Sequence, residues 1–135
     1  MKEYLLSLLE HSRGYTLAVT DSMPAKLDEF KPSNESWTFK EQLQHIAYGI
    51  EWWNENYVKG VKTAWEPPAD KKNRKDAVAF INRSYEGWKD AVNKSKMNDD
   101  LVKGFYATLD HITHHRGQLI AYLRSNGITP PEYTH

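Results

Sequence analysis

Between Lys2 and Met23 the apolar residues Leu5, Leu8, Leu9, Tyr15, Val19 and Met23 recur at helical spacing, while Lys2, Glu3, Glu10 and Arg13 fall mostly off that stripe. The pattern predicts a first helix, closed by Pro24, which cannot continue it. The next stretch, PAKLDEFKPSNESW, holds two prolines and a Ser/Asn cluster and reads as a connection across the end of a bundle. Thr38-Phe39-Lys40-Glu41 then has the S/T-x-x-E pattern of a capping box, in which hydroxyl and carboxylate each satisfy a free backbone N–H. A second helix starts there, with the stripe Phe39, Leu43, Ile46, Ile50, Trp53 and Tyr57, and Gly60 is placed to end it.

The loop to Lys72 contains Trp65-Glu66-Pro67-Pro68 and cannot be regular helix. A third helix follows from about Arg74 to Lys94, with Val78, Ile81, Tyr85, Trp88 and Val92 at alternating spacings of three and four, the packing seam of an antiparallel bundle. It carries no histidine and reads as scaffold. After SKMNDD a fourth helix turns Phe105, Leu109, Ile112, Leu119 and Leu123 inward and stops at Gly127, before Pro130 and Pro131. Four amphipathic segments of this kind predict an all-α, up-and-down four-helix bundle. The 135 residues suit one domain over 1–135 that buries a core without disulfides, and no internal repeat or low-complexity segment interrupts it.

Charge and cysteine content narrow the function. Lys plus Arg and Asp plus Glu are 18 each, so there is no positive excess to release counterions from a phosphate backbone, and nucleic acid is not expected as a partner. The absence of cysteine removes disulfides, cysteine-ligated zinc and a protein thiol nucleophile together, so any thiol chemistry needs the substrate's sulfur. The apolar patch in MKEYLLSLLEHSRGY is interrupted by Glu10 and His11 and reads as a helix rather than a signal peptide. No apolar run approaches the roughly 20 residues of a membrane helix, so the expectation is a soluble, cytoplasmic protein.

The chemistry concentrates in Asp110 to Gln118, DHITHHRGQ. His111 and His115 are four apart, so a helix stacks them on one face, roughly 75 to 120° from the centre of the apolar stripe. Two imidazoles so placed can close on one metal ion. They supply only two of the three or four protein ligands that a zinc-like ion takes, and His45, on the flank of the second helix, is the candidate third. The spacing alone suits two polar residues on a helix flank equally well. It also matches the H-E-x-x-H zinc motif, but Ile112 occupies the place of the general-base glutamate, which excludes a peptidase of that type. A three-histidine site with an open position would act as a Lewis acid or lower the pKa of a bound water to about 7.

Around this centre, His114 points about 100° away from His115 and reads as a flanking group. Gln118 lies on the histidine face one turn on, placed either to orient a ligand or to be solvated. Arg116 lies near the apolar stripe, where pairing with a carboxylate or carbonyl is expected ahead of the alternative, contact with a substrate. On the second helix Glu41, Tyr48 and Trp52 share the face of His45. Tyr48 or Trp52 would wall a pocket, and the capping box engages Glu41. His11 and His135 read as surface residues. Five tryptophans exceed what a small core needs, so one or two are expected at a pocket rim or dimer interface, with Trp53 and Trp88 in the core.

Ser36-Trp37, Gln44-His45-Ile46, the run His111-Ile112-Thr113-His114-His115-Arg116-Gly117-Gln118 and the run from Tyr122 to Pro131 together resemble the DinB/YfiT-like metal-dependent proteins of bacteria over nearly the whole chain. The resemblance implies a four-helix bundle, a homodimer, and one divalent metal ion, zinc or nickel, on His45, His111 and His115. It further implies activation of a low-molecular-weight thiol, such as bacillithiol or mycothiol, for S-transfer to a small electrophile or for isomerisation. The missing glutamate agrees with this, because a metal-bound thiol loses its proton to the charge of the metal and needs no protein base. A metal-water hydrolase and a non-catalytic, stress-response metal- or ligand-binding protein are the alternatives. Gln118, Arg116, Tyr48 and Trp52 are the residues expected to support the centre.

Overall fold

A computed structural model describes residues 1–69 and 73–133. Among them are four α-helices and no strand: α1 (Lys2–Ser22), α2 (Phe39–Trp53), α3 (Arg74–Lys94) and α4 (Asp99–Ser125). A short 3₁₀ turn (Ala25–Leu27) follows α1, and a π-helical turn (Asn54–Val58) extends α2. α2 packs against α3 and α4, and α1 packs against the same two helices. The core they enclose includes Leu5, Leu9, Val19, Phe39, Leu43, Ile46, Ile50, Ile81, Trp88, Phe105, Ile112 and Leu119, all fully buried. No described helix is long and apolar enough to cross a membrane.

Local chemistry sets the helix ends. The capping box at α2 is complete: the Glu41 backbone N–H donates to Thr38 Oγ1 at 3.1 Å, and the Thr38 N–H donates to Glu41 Oε1 at 3.0 Å. Asn73 and Asn98 cap α3 and α4 by accepting from the N–H groups of Asp76 and Leu101, both at 2.8 Å. Gly127, at φ 71°, reverses the chain after α4, and the Ile128 N–H returns to the Leu123 carbonyl at 3.0 Å, as in a Schellman turn.

The second helix departs from its expected pattern near its end. Trp53, expected in the core, is only half-buried, and Tyr57, expected on the same stripe, is 49% exposed and stacked on it at 4.6 Å between ring centroids. The π turn is the reason. It spaces inward positions at four or more residues per turn, so Asn54 and Val58 follow Ile50 toward the core in place of Trp53 and Tyr57. Gly104 of α4 makes room for this turn, because a Cβ there would lie 2.9 Å from that of Tyr57.

Arg116 is 4% exposed and turns toward α1. Its Nη1 reaches the Ser12 carbonyl and Thr16 Oγ1, each at 3.4 Å, and its guanidinium lies over the Tyr15 and Tyr133 rings at 4.9 and 5.7 Å. The partner is thus a carbonyl supplemented by aromatic faces. Ser12 and Thr16 also bond the Tyr85 hydroxyl, at 2.8 and 3.2 Å, and burial pushes that phenol above its ordinary pKa.

Candidate metal centre

His45 projects from the middle of α2, and His111 and His115 project from α4, on flanks that the packing of the two helices brings face to face. His45 Nε2 lies 3.0 Å from His115 Nε2 and 3.1 Å from His111 Nε2. One ring nitrogen from each of the three falls within 4.8 Å of the others, and all three side chains are half-buried. A neutral imidazole brings one proton and one lone pair. Three such rings meeting at one point cannot satisfy one another, and a shared electrophile would accept a lone pair from each.

The sequence provides for this approach in two ways. The first is Gly49, one turn after His45 on α2. A Cβ there would stand 2.2 Å from His111 Cε1 and 2.6 Å from Nδ1, closer than any real contact, so the imidazole occupies the space that a side chain would need. His111 Nδ1 is buried with no hydrogen-bond partner, so of the two α4 histidines it is the one whose outer nitrogen is held by packing rather than by a hydrogen bond.

The second is Gln42. The Tyr122 hydroxyl donates to the Trp37 carbonyl at 2.7 Å, so its oxygen is left to accept, and the Gln42 Nε2 donates to it at 3.4 Å. The same Nε2 donates to Gln118 Oε1 at 2.5 Å. Gln42 Oε1 therefore faces His115 Nδ1, 3.1 Å away, and can only accept. The proton of His115 sits on Nδ1, and its Nε2 presents a lone pair to the cluster.

Burial lowers the pKa of all three rings. His45 falls to about 4, through burial and then the neighbouring His111 and His114; His115 falls to about 3, through burial and then His45, His111 and His114. His111 is lowered by burial and then by His114. All three are neutral at pH 7, the state in which imidazole binds a metal. The donors therefore fit a divalent ion. Three neutral nitrogens converge, a bonded proton directs one lone pair inward, and the 3.0 and 3.1 Å spacings are close to those of ligands around an ion with bonds of about 2.0–2.1 Å.

A sequence model of the DinB superfamily matches residues 8–127. The chain belongs to the DinB superfamily. No curated protein matches it. Within this DinB-superfamily chain the remaining expected residues take distinct places. Tyr48 lines a cleft of about 210 Å³ beside His45, with Trp37, Glu41, Gln44, Trp65, Pro67 and Pro68. Trp52 packs instead against Trp53, Tyr57 and Trp65. Gln118 touches the centre through Gln42, and its other contact is His114 Nε2 at 3.4 Å. His114 is exposed and meets His115 edge-on, at 4.9 Å between ring centroids. His11 is exposed, and His135 lies outside the described residues.

Sequence reasoning missed Gln42, Gly49 and the part played by Trp65. Gly49 carried a signal, because a lone glycine inside a helical pattern and on a functional face needs a packing reason. Trp65 carried none. It reaches His45 only because the loop is tied back: the Glu66 N–H donates to the Tyr48 hydroxyl at 2.7 Å, and the Thr63 N–H donates to Asn56 Oδ1 at 2.9 Å. Its ring then meets His45 at 5.6 Å. On the other side Trp37 covers both His45 and His115, at 4.4 and 5.9 Å.

Proposed function

We propose that His45, His111 and His115 hold one divalent ion, zinc or nickel, and that the protein is a metal-dependent thiol S-transferase acting on a small electrophile. The observation that carries this reading is the convergence of three neutral Nε2 atoms, with the proton of His115 directed away onto Gln42. When bound, such an ion supplies Lewis acidity, lowering the pKa of a thiol so that it reacts as the thiolate. In the transfer the sulfur bonds to the electrophilic carbon, the leaving group departs with its electron pair, and the thiol proton passes to solvent. The chain's own residues hold the three rings in register, exclude water with Trp37 and Trp65, and keep the imidazoles unprotonated. A hydrolase draws less support: Glu41, the α2 carboxylate that lines the cleft with His45, is engaged by the Thr38 backbone. The reading extends to helices running up and down in a cytoplasmic homodimer, with no nucleic-acid or membrane partner.

Elemental analysis of the purified protein, beside His45→Ala and His115→Ala, tests the ligand set. One equivalent of metal in the parent and loss in both variants is expected; a full equivalent in both variants overturns it. Adding a thiol to cobalt-substituted protein tests the activity. A strong sulfur-to-metal charge-transfer band is expected, and an unchanged spectrum leaves a protein that binds metal without activating thiols.

A further inference from the structure

The cleft beside His45 has a character of its own. At about 210 Å³ it is smaller than the roughly 300–1,000 Å³ of pockets for drug-sized ligands, so its occupant is about one ring in size. Trp37 and Trp65 are each 42% exposed, a large apolar area to leave in water, and Tyr48 stands edge-on to Trp65 at 4.8 Å. Aromatic walls of this kind favour flat, apolar partners.

Two polar groups refine the choice. Glu41 is the acidic group of the lining, and among the described residues no lysine or arginine joins it, so in the metal-free chain a carboxylate or phosphate would meet repulsion without a counter-charge. Gln44 also lines the cleft; it is 7% exposed, and its amide Nε2 is buried without a hydrogen-bond partner. Buried side-chain amides in folded proteins are nearly always paired, and a polar atom entering the cleft would supply what this one lacks. An anion would be repelled by Glu41 in the metal-free chain, and a cation by a divalent ion at the adjoining centre, so an uncharged molecule is the one that suits both states.

We propose that this cleft binds an uncharged, flat apolar molecule of about one aromatic ring that carries a hydrogen-bonding oxygen directed to Gln44. The assignment of that molecule as the electrophilic co-substrate rests on the S-transferase reading above; the binding itself does not.

Equilibrium dialysis of 4-methylbenzyl alcohol, p-xylene and 4-methylbenzoate against the metal-free full chain tests it, with metal uptake measured on the same preparation. The alcohol is expected to bind about ten-fold more tightly than the benzoate. Gln44→Leu should weaken the alcohol by about ten-fold and leave p-xylene, which has no polar atom, within about two-fold. Trp65→Leu should weaken all three. Benzoate binding as tightly as the alcohol, or no saturable binding of any probe, overturns the proposal, and the parent protein alone gives both results. Probe binding by a protein that takes up no metal would leave the cleft standing and remove the metal centre; full metal uptake without probe binding would do the reverse.

Discussion

Gly49→Ala places the smallest possible side chain where the structure has no room for one. The new methyl would stand 2.2 Å from His111 Cε1, and ordinary contact begins about 1.2 Å further out, so the ring or the helix must move by roughly 1 Å. Metal–ligand distances tolerate only about 0.2 Å, so a ring displaced that far ceases to be a ligand. Disturbing a group that merely supports a ligand lowers metal affinity by about 10–100-fold, and losing the ligand should reach at least the upper end of that range. The stability of the metal-free chain moves much less. Alanine gains about 1 kcal/mol over glycine in a helix interior, against roughly 1–3 kcal/mol for overpacking, leaving a net loss of about 0–2 kcal/mol. Gly87→Ala is the control, since nothing lies within 4 Å of its added Cβ. Thermal melts with and without zinc separate the two effects: the parent and Gly87→Ala should be stabilised by metal, and Gly49→Ala should melt alike in both. Parent-like metal affinity in Gly49→Ala would refute the assignment of His111 as a ligand.

Three further outcomes follow from the same geometry. Gln42→Leu removes the acceptor of the His115 proton and should lower metal affinity by about 10–100-fold without unfolding the chain, read by competition with a chromophoric chelator. Arg116→Met strips the guanidinium from Ser12, Thr16 and the two tyrosine rings; a loss of about 1–3 kcal/mol with unchanged metal stoichiometry is expected, and lost metal with unchanged stability would contradict the placement. The metal-free protein should lose stability as pH falls. The pKa values of His45, His111 and His115 lie below the ordinary 6.5, so the unfolded chain takes up protons first; the contribution is complete above 6.5 and declines through about 4 for His45 and about 3 for His115. Urea melts of a His45→Gln, His115→Gln double variant should show a flatter dependence between pH 6.5 and 4.5, and an unchanged slope would count against the buried neutral rings.

What was legible in the chain was whatever rests on neighbours in sequence. Thr38 and Glu41 announce the start of α2 because the cap closes within one turn, and Gly127 announces the end of α4 for the same reason. The flank positions of His45, His111 and His115 follow from helical angle alone, and their meeting needed only that α2 and α4 be neighbours. The π turn was not legible, since no residue pattern demands it, and the inward placement of Trp53 failed with it. Gln42 was hidden because its role depends on Tyr122 and His115, both far away in the chain. Arg116 was half legible: its position called for a partner, and only packing against α1 could say that tyrosine faces would share the task with a carbonyl.

The wider turn at Asn54–Val58 has a reach beyond its own five residues. Each residue of an α-helix rotates the chain by about 100°, so excising one there would send the backbone out of α2 on a different azimuth. Asn56, whose side chain clasps Thr63, would swing with it, and the strap bearing Trp65 would lose that clasp while keeping the Glu66 bond to Tyr48. An irregularity in one rod thus acts as a rudder for a distant wall, and shortening the helix by a single position would loosen one flank of the histidine cluster while sparing the three rings themselves.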